Sequence, residues 1–433
     1  RYRGSKMARE LSFDQSFCRK TLERVLYKSD FRGIPALAQD NFREKLLSQA
    51  LASATTHFHT PSVPLISFPL KGKTVYRLAR HQDELVERKL RLNLKKSTSL
   101  SVDGRSQIVR NLKLLLEEGV PYRIYRLDIR SFFESFEKSH IFDTVSSIKS
   151  LSPHSRKLIG ALLDAHASIG GRGVPRGLSI SAALSEILMW DFDQKVRWAS
   201  NTFYYSRYVD DIIIVSSARE DEECFLRELR SFLPLGLKLN PDKKNIVAAT
   251  ARVAKESSTI ASPPLQFDYL GYQFLVKNPT KEEAGKTKAG QLYRKVHVDI
   301  AKKKIKRMKT RVVRSFLSYA KSNDWGLLRD RIAFLTQNFS VYNPKVGGKK
   351  IAGIYHSYPL ISDDAAGLKE LDRFLRNAVL SKKGRVFSIT NTMISSHQRR
   401  KLLAYSFARG HRNRSFIHFS AARISQIQSC WIY

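Results

Sequence analysis

The segment YYSRYVDDIIIVSS, residues 204–217, constrains this chain more than any other stretch. Tyr204, Tyr205 and Tyr208, then Ile212, Ile213, Ile214 and Val215, are strand-forming residues. Asp210 and Asp211 interrupt them. Aspartate is depleted from strands and is almost never buried without a partner, so the run reads as strand, tight turn, strand with both carboxylates at the turn. Aspartate is an ordinary turn residue. Adjacent carboxylates also gather negative charge at one point, where a hard cation such as Mg²⁺ takes oxygen ligands. A third carboxylate reaching the same point separates these two readings.

Asp128 supplies that carboxylate. YRIYRLDIRSFFESF, residues 122–136, begins as a strand and turns toward helix after Asp128. If this strand and the hairpin are neighbours in one sheet, Asp128 and Asp210 converge at a strand end. Phosphoryl transfer uses such an arrangement, with two metals about 3.5–4 Å apart clamping the attacking and leaving oxygens. A D-x-x-x-x-F pattern from Asp128 to Phe133 and a G-x-P-x-G pattern from Gly173 to Gly177 accompany the acids.

Charge points to the same class of partner. The 433 residues carry 76 Lys+Arg against 39 Asp+Glu, a formal net charge of +37. Self-repulsion on that scale calls for a polyanion, and nucleic acid is the expected one. An anionic membrane is the rival, but no run of about 18 apolar residues is present, nor a signal-peptide pattern. A hydrophobic fraction of 42% indicates a folded protein. Cys18, Cys224 and Cys430 form no CxxC pair, which argues against zinc fingers and disulfides and suits a reducing cytoplasm.

The excess is uneven, with 32 Lys+Arg against 9 Asp+Glu from residue 280 onward. This part opens on a polar linker, KNPTKEEAGKTKAGQ, and continues into DIAKKKIKRMKTRVVRSFLSYA. There Ile300, Ile305, Met308, Val312, Phe316 and Tyr319 fall at helical spacing. Lys302, Lys303, Lys304, Lys306 and Arg307 occupy the remaining face and are candidate phosphate contacts. Further helices are expected over 363–381 and 395–409, making the tail an all-α basic domain. In the middle third, helices are expected over 176–200 and 219–233 among strands, giving a βαββαβ-like order and an α+β domain with an antiparallel sheet.

In the order of its sequence blocks, the chain resembles a reverse transcriptase over roughly residues 60–280. FPLKGKTVYRLA is similar to the fingers strands, LDIRSFF to the first catalytic block and GVPRGLSISAALSEI to the template-and-nucleotide block. YVDD resembles the second catalytic block, GLKLNPDKKNIV the lysine block and FDYLGYQF the primer-grip hairpin. The resemblance implies a right-hand polymerase of fingers, palm and thumb. Residues 1–120 would hold the N-terminal segment and fingers, 121–279 the palm with a fingers insertion at about 145–175, and 280–433 the thumb. It makes Asp128, Asp210 and Asp211 the catalytic, Mg²⁺-binding carboxylates, with the Ile129 carbonyl an additional ligand. Phe133 stands where the family blocks a ribose 2′-OH; the alternative is a core phenylalanine. Lys71, Lys73 and Arg77 are placed to grip the nucleotide triphosphate, Lys243, with Lys244 beside it as the alternative, to assist the leaving pyrophosphate and Gly177 to let the nucleotide pair approach the backbone. Arg176 departs from the glutamine common at that position, which puts the usual nucleotide contact in doubt, although arginine can stack or reach phosphate.

The segment after the palm shows neither an RNase H nor a Cys/His endonuclease pattern. That build is similar to retron and defence-associated bacterial enzymes, and SHQRRKLLAYSFARGHRNRSFIHF is nearest to the type 2 defence kind, related also to group II intron enzymes. The implied activity is RNA-directed synthesis of cDNA from dNTPs, on an associated structured noncoding RNA, in anti-phage defence. Two alternatives remain: a template-independent DNA polymerase and a maturase-like RNA-binding protein.

Overall fold

The isoleucine run accounts for the centre of the fold: Ile212, Ile213, Ile214 and Val215 are fully buried, as in a strand covered on both faces. This computed structural model describes residues 13–58, 65–70, 72–98, 102–249, 264–277, 293–343 and 348–431. The chain divides into two units. One comprises Arg1–Val102, Arg126–Val215 and Arg219–Lys244; the other comprises Asp103–Tyr125, Ser216–Ala218 and Asn245–Tyr433. Residues 278–291 of the expected linker lie outside the described residues.

In the first unit, β1 (Leu65–Leu70) and β2 (Lys73–Leu78) form an antiparallel hairpin. Pro69 is accommodated because each strand of this two-stranded sheet has a free edge. β3 (Tyr122–Asp128), β4 (Thr202–Tyr208) and β5 (Asp211–Ser216) follow in the chain, ordered β4-β5-β3; β6 (Asn245–Ala249) belongs to the second unit. Helices between β3 and β4, and the helix Glu222–Phe232 between β5 and β6, complete the expected βαββαβ succession. Asp221 caps the latter helix by accepting from the Cys224 N–H at 2.8 Å.

The single helix expected over 176–200 is two, Ser179–Leu188 and Trp190–Arg197, meeting at Met189. The first lacks a side-chain cap of its own. Glu87, from the helix His81–Thr98, accepts instead from Ser179 Oγ at 2.8 Å and the Ile180 N–H at 2.5 Å, satisfying orphan donors of the first turn. Burial pushes the Glu87 carboxyl up, against the pull of those bonds.

In the second unit, β7 (Leu265–Tyr269), β8 (Tyr272–Lys277) and β9 (Lys295–Ile300) form an antiparallel sheet. Leu270 and Gly271 join β7 to β8, both at positive φ (47° and 82°), as a two-residue hairpin loop requires. Arg105 secures that loop by donating to the Leu270 carbonyl at 2.8 Å, with its guanidinium 4.7 Å from the Tyr272 ring centre. The helix Lys302–Ser322 comes next, burying Ile305, Val312, Phe316 and Tyr319; Ile300, assigned to its stripe from sequence, belongs to β9.

The all-α expectation for 280–433 is corrected. Besides β9, the unit contains β10 (Asn338–Asn343), β11 (Gly348–Gly353) and β12 (Phe416–Ile417), in the order β11-β10-β12. KVHVDI alternates in burial along β9, the period-2 signature of a strand. Helices do occur at Ala366–Leu380, Ser396–Leu403 and Phe407–Arg412, the last two replacing the single helix expected over 395–409. Trp431 docks onto the basic helix, its indole N–H donating to the Arg311 carbonyl at 3.0 Å. Among the described residues, no helix is long and apolar enough to cross a membrane.

Candidate active site

The hairpin β4–β5 turns through Val209 and Asp210. Because β5 lies between β4 and β3, the turn meets the C-terminal end of β3, where the Ile129 N–H donates to the Asp210 carbonyl at 3.3 Å. Asp128 and the pair Asp210–Asp211 therefore converge, the condition for it, that their strands be neighbours in one sheet, being met. Asp128 is buried, 6% exposed; Asp210 and Asp211 are half-buried. Burial, and then the negative charge of Asp128, push the Asp210 carboxyl up, partly offset by an intraresidue backbone hydrogen bond and by Lys243 and Arg176. Burial and then Asp210 push Asp211 up, against the pull of Arg126. The acids act on one another within a single electrostatic cluster.

Lys243 enters this cluster from the short 3-10 helix Pro241–Lys243. Its ammonium donates to both oxygens of Asp128, at 2.8 and 2.9 Å, and that bond raises the lysine's pKa. Lys244 points elsewhere and pairs with Glu222 at 3.2 Å. Asn240 donates to Asp128 through its side chain at 3.2 Å and its backbone N–H at 2.7 Å. Sequence reasoning missed Asn240, although Asn-Pro-Asp is a turn signal that places a polar side chain at a fixed offset. It also missed Arg126, which shares a strand face with Asp128 by its i, i+2 spacing.

Phe132 is buried, 2% exposed, whereas its neighbour Phe133 is half-buried. The Arg176 guanidinium lies 4.9 Å from the Phe133 ring centre. Glu134 fixes that guanidinium in a two-bond fork, at 2.7 and 3.1 Å. The same bond raises the Arg176 pKa, and in Glu134 it and the neighbouring positive charge overcome burial to hold the carboxyl low.

Lys73, Tyr76, Ser131, Glu134, Arg172 and Arg176 line a cleft of about 310 Å³. Lys73 thus lines the same cleft as Arg176. Arg77 is exposed on β2 and is not among the cleft's lining residues. Lys71 lies outside the described residues. Gly177 has φ +110°, and a Cβ there would come within 2.5 Å of the Tyr76 carbonyl and Val75 Cγ1. The loop is locked to β2 by the Tyr76 N–H donating to the Arg176 carbonyl at 2.7 Å. The chain's own packing therefore requires glycine at this position. We expect Gly177→Ala to lower stability by more than about 1 kcal/mol, as read from denaturant unfolding.

Three carboxylates, two of them raised in pKa, are the donor chemistry that a hard divalent cation relieves. Among the described residues, no group of three or more His, Cys, Asp or Glu side chains is arranged to hold a metal ion. Asp128 directs its oxygens to Lys243 and Asn240. The five basic residues singled out after Ala301 belong to the second unit. Lys302, Lys303, Lys304, Lys306 and Arg307 are all exposed on the helix Lys302–Ser322.

An acidic hairpin turn at the end of neighbouring strands, in a mixed α/β domain, defines the structural class. Residues 71–274 match the family model described as reverse transcriptase (RNA-dependent DNA polymerase), so this part of the chain is a reverse-transcriptase-like domain. Among solved structures, the chain is similar to apo telomerase from Candida tropicalis truncated from its C-terminal domain. The identity is 15% and the TM-score 0.33, over 50% of this chain and 53% of that one, so the chain spans about half that structure's length. No curated protein matches the chain.

Proposed function

We propose that the protein is an RNA-directed DNA polymerase that copies part of an associated structured noncoding RNA into cDNA, in the cytoplasm and in anti-phage defence. The observation that carries the polymerase reading is the convergence of Asp128, Asp210, Asp211 and Lys243 within the reverse-transcriptase-like domain. The noncoding RNA and the defence role rest on the resemblance of the C-terminal sequence. In this reading residues 1–120 carry the N-terminal segment and fingers, 121–279 the palm with a fingers insertion at about 145–175, and 280–433 the thumb.

Asp128, Asp210 and Asp211, with the Ile129 carbonyl, would hold Mg²⁺. When bound, the ion supplies charge stabilisation to the reacting phosphate oxygens. The chain's own residues do the rest. Lys243 neutralises Asp128 until the site is filled and is then free to donate a proton toward the departing pyrophosphate. Lys73, with Lys71 and Arg77, attracts the triphosphate. Arg176, fixed by Glu134, braces the Phe133 ring beside the sugar.

The test is extension of a DNA primer on an RNA template by the purified protein, with and without Mg²⁺, together with sequencing of the nucleic acid that copurifies. Template-dependent, Mg²⁺-dependent synthesis supports the reading. Synthesis indifferent to template favours the untemplated polymerase, and RNA binding with no synthesis favours the maturase-like protein. Phe133→Ala is expected to lower the preference for deoxynucleotides by at least about tenfold, measured by dNTP–rNTP competition on one template. Unchanged discrimination would remove Phe133 from the sugar site.

A further inference from the structure

Val209 is the least comfortable residue of the acidic hairpin. It has φ +61°, a region where a β-branched side chain is an outlier that persists only when its surroundings over-determine it. Arg207, two residues earlier on β4, is one such determinant. Its side chain is 3% exposed, and one Nη1 donor goes to the Val209 carbonyl at 2.9 Å. The other donors are committed to two helices. Nε and Nη2 reach Asp193 of Trp190–Arg197 at 2.9 and 2.7 Å. Nη1 and Nη2 reach Glu186 of Ser179–Leu188 at 3.3 and 2.7 Å. All five N–H groups of the guanidinium fork are thereby used. Tyr205 donates its hydroxyl to the same Asp193 oxygen as Nε, fixing that carboxylate in turn.

We infer that Arg207 is a positioning residue: clamped by Glu186 and Asp193, it holds the strained Val209 turn and so fixes where Asp210 and Asp211 stand. This rests on the polymerase reading for its catalytic consequence, but not for its structural one. Lysine keeps the charge yet lacks the fork, so Arg207→Lys surrenders the Val209 bond while leaving the acids a cation. Glycine adopts positive φ freely, so Val209→Gly removes the strain that Arg207 opposes.

The experiment crosses the two substitutions in the full-length protein. Arg207→Lys is expected to speed amide hydrogen exchange over residues 207–211 and to lower the primer-extension rate by up to about 100-fold, the cost of an ångström-scale misplacement. The apparent KM for nucleotide should move little. In the Val209→Gly background the further loss from Arg207→Lys should shrink to a few-fold. Equal losses in both backgrounds, or unchanged exchange over 207–211 in the Arg207→Lys protein, would overturn the assignment. If Arg207→Lys does not fold, Asp193→Asn, which loosens the clamp without emptying it, takes its place in the same cross. Hydrogen exchange needs no activity, so absence of synthesis by the wild type would count against the polymerase reading and leave this inference separately decided.

Discussion

The Asp210→Ala/Asp211→Ala double variant is expected to extend no primer above the no-enzyme background, while binding RNA as the wild type does. The two halves of this result have separate physical sources. Chemistry is proposed to depend on carboxylates gathered at one turn, whereas affinity is proposed to come from phosphate contacts made by basic side chains. A stability measurement guards against the trivial explanation. Burial raises both carboxyls, so the folded chain binds protons there more tightly than the unfolded chain. Stability then falls as pH rises from the ordinary carboxylate range through the raised folded-state values, and the penalty persists at neutral pH. Removing the two carboxylates relieves it. The double variant should therefore melt no lower than wild type in metal-free buffer at pH 7. Full primer extension by the double variant would sink the catalytic assignment, and a sharply lower melting temperature would make lost activity uninformative.

Neutralising Lys302, Lys303, Lys304, Lys306 and Arg307 together is expected to have the second largest effect, on RNA affinity and its salt dependence. These side chains stand exposed along the first turns of a helix, and among the described ion pairs none involves them. Lys304, although exposed, lays its side chain against the Gly271 turn; partial desolvation there, then the positive charge of Arg307, Arg105, Lys303 and Arg311, depresses its pKa. That crowding of like charge is relieved by a bound polyanion. With six to ten phosphate contacts, affinity falls by about 10³–10⁵ between 50 and 200 mM salt. Each lost contact lowers the slope of log affinity against log salt by about 0.7–0.9, so the five-site variant should lose on the order of 3.5–4.5. Isotherms at several salt concentrations decide it. An unchanged slope would make this helix a merely solvated face and move RNA binding elsewhere.

The hairpin and the third carboxylate were legible in the sequence because each rests on local chemistry: an Asp-Asp turn inside a β-branched run carries its geometry with it. The lysine came from the family resemblance alone, which left Lys243 and Lys244 both open. Glu134, Asn240 and Arg207 were not legible as site residues. Their roles come from partners far along the chain, at 176, 128 and the pair 186 and 193, and no spacing rule encodes those meetings. The strands after residue 290 were hidden for another reason. Lysine- and arginine-rich composition drew attention to the helical period of 302–322, and the shorter alternation of KVHVDI, beside it, was overridden. At Met189 the apolar periodicity runs through a helix boundary that residue types alone do not mark.

The fork between Arg176 and Glu134 also limits how this chain can change over generations. Glutamine, the residue common at this position in the resembling family, would leave Glu134 half-buried without its counter-ion and remove the flat cation lying against Phe133. A single change to glutamine at 176 therefore passes through a chain carrying an orphaned acid beside the cleft lined by Lys73, Tyr76 and Arg172. Substitution at 134 alone leaves the half-buried arginine without the carboxylate that fixes it. Positions 134 and 176 are thus expected to be inherited as one unit, and lineages descending from this chain should vary both or neither.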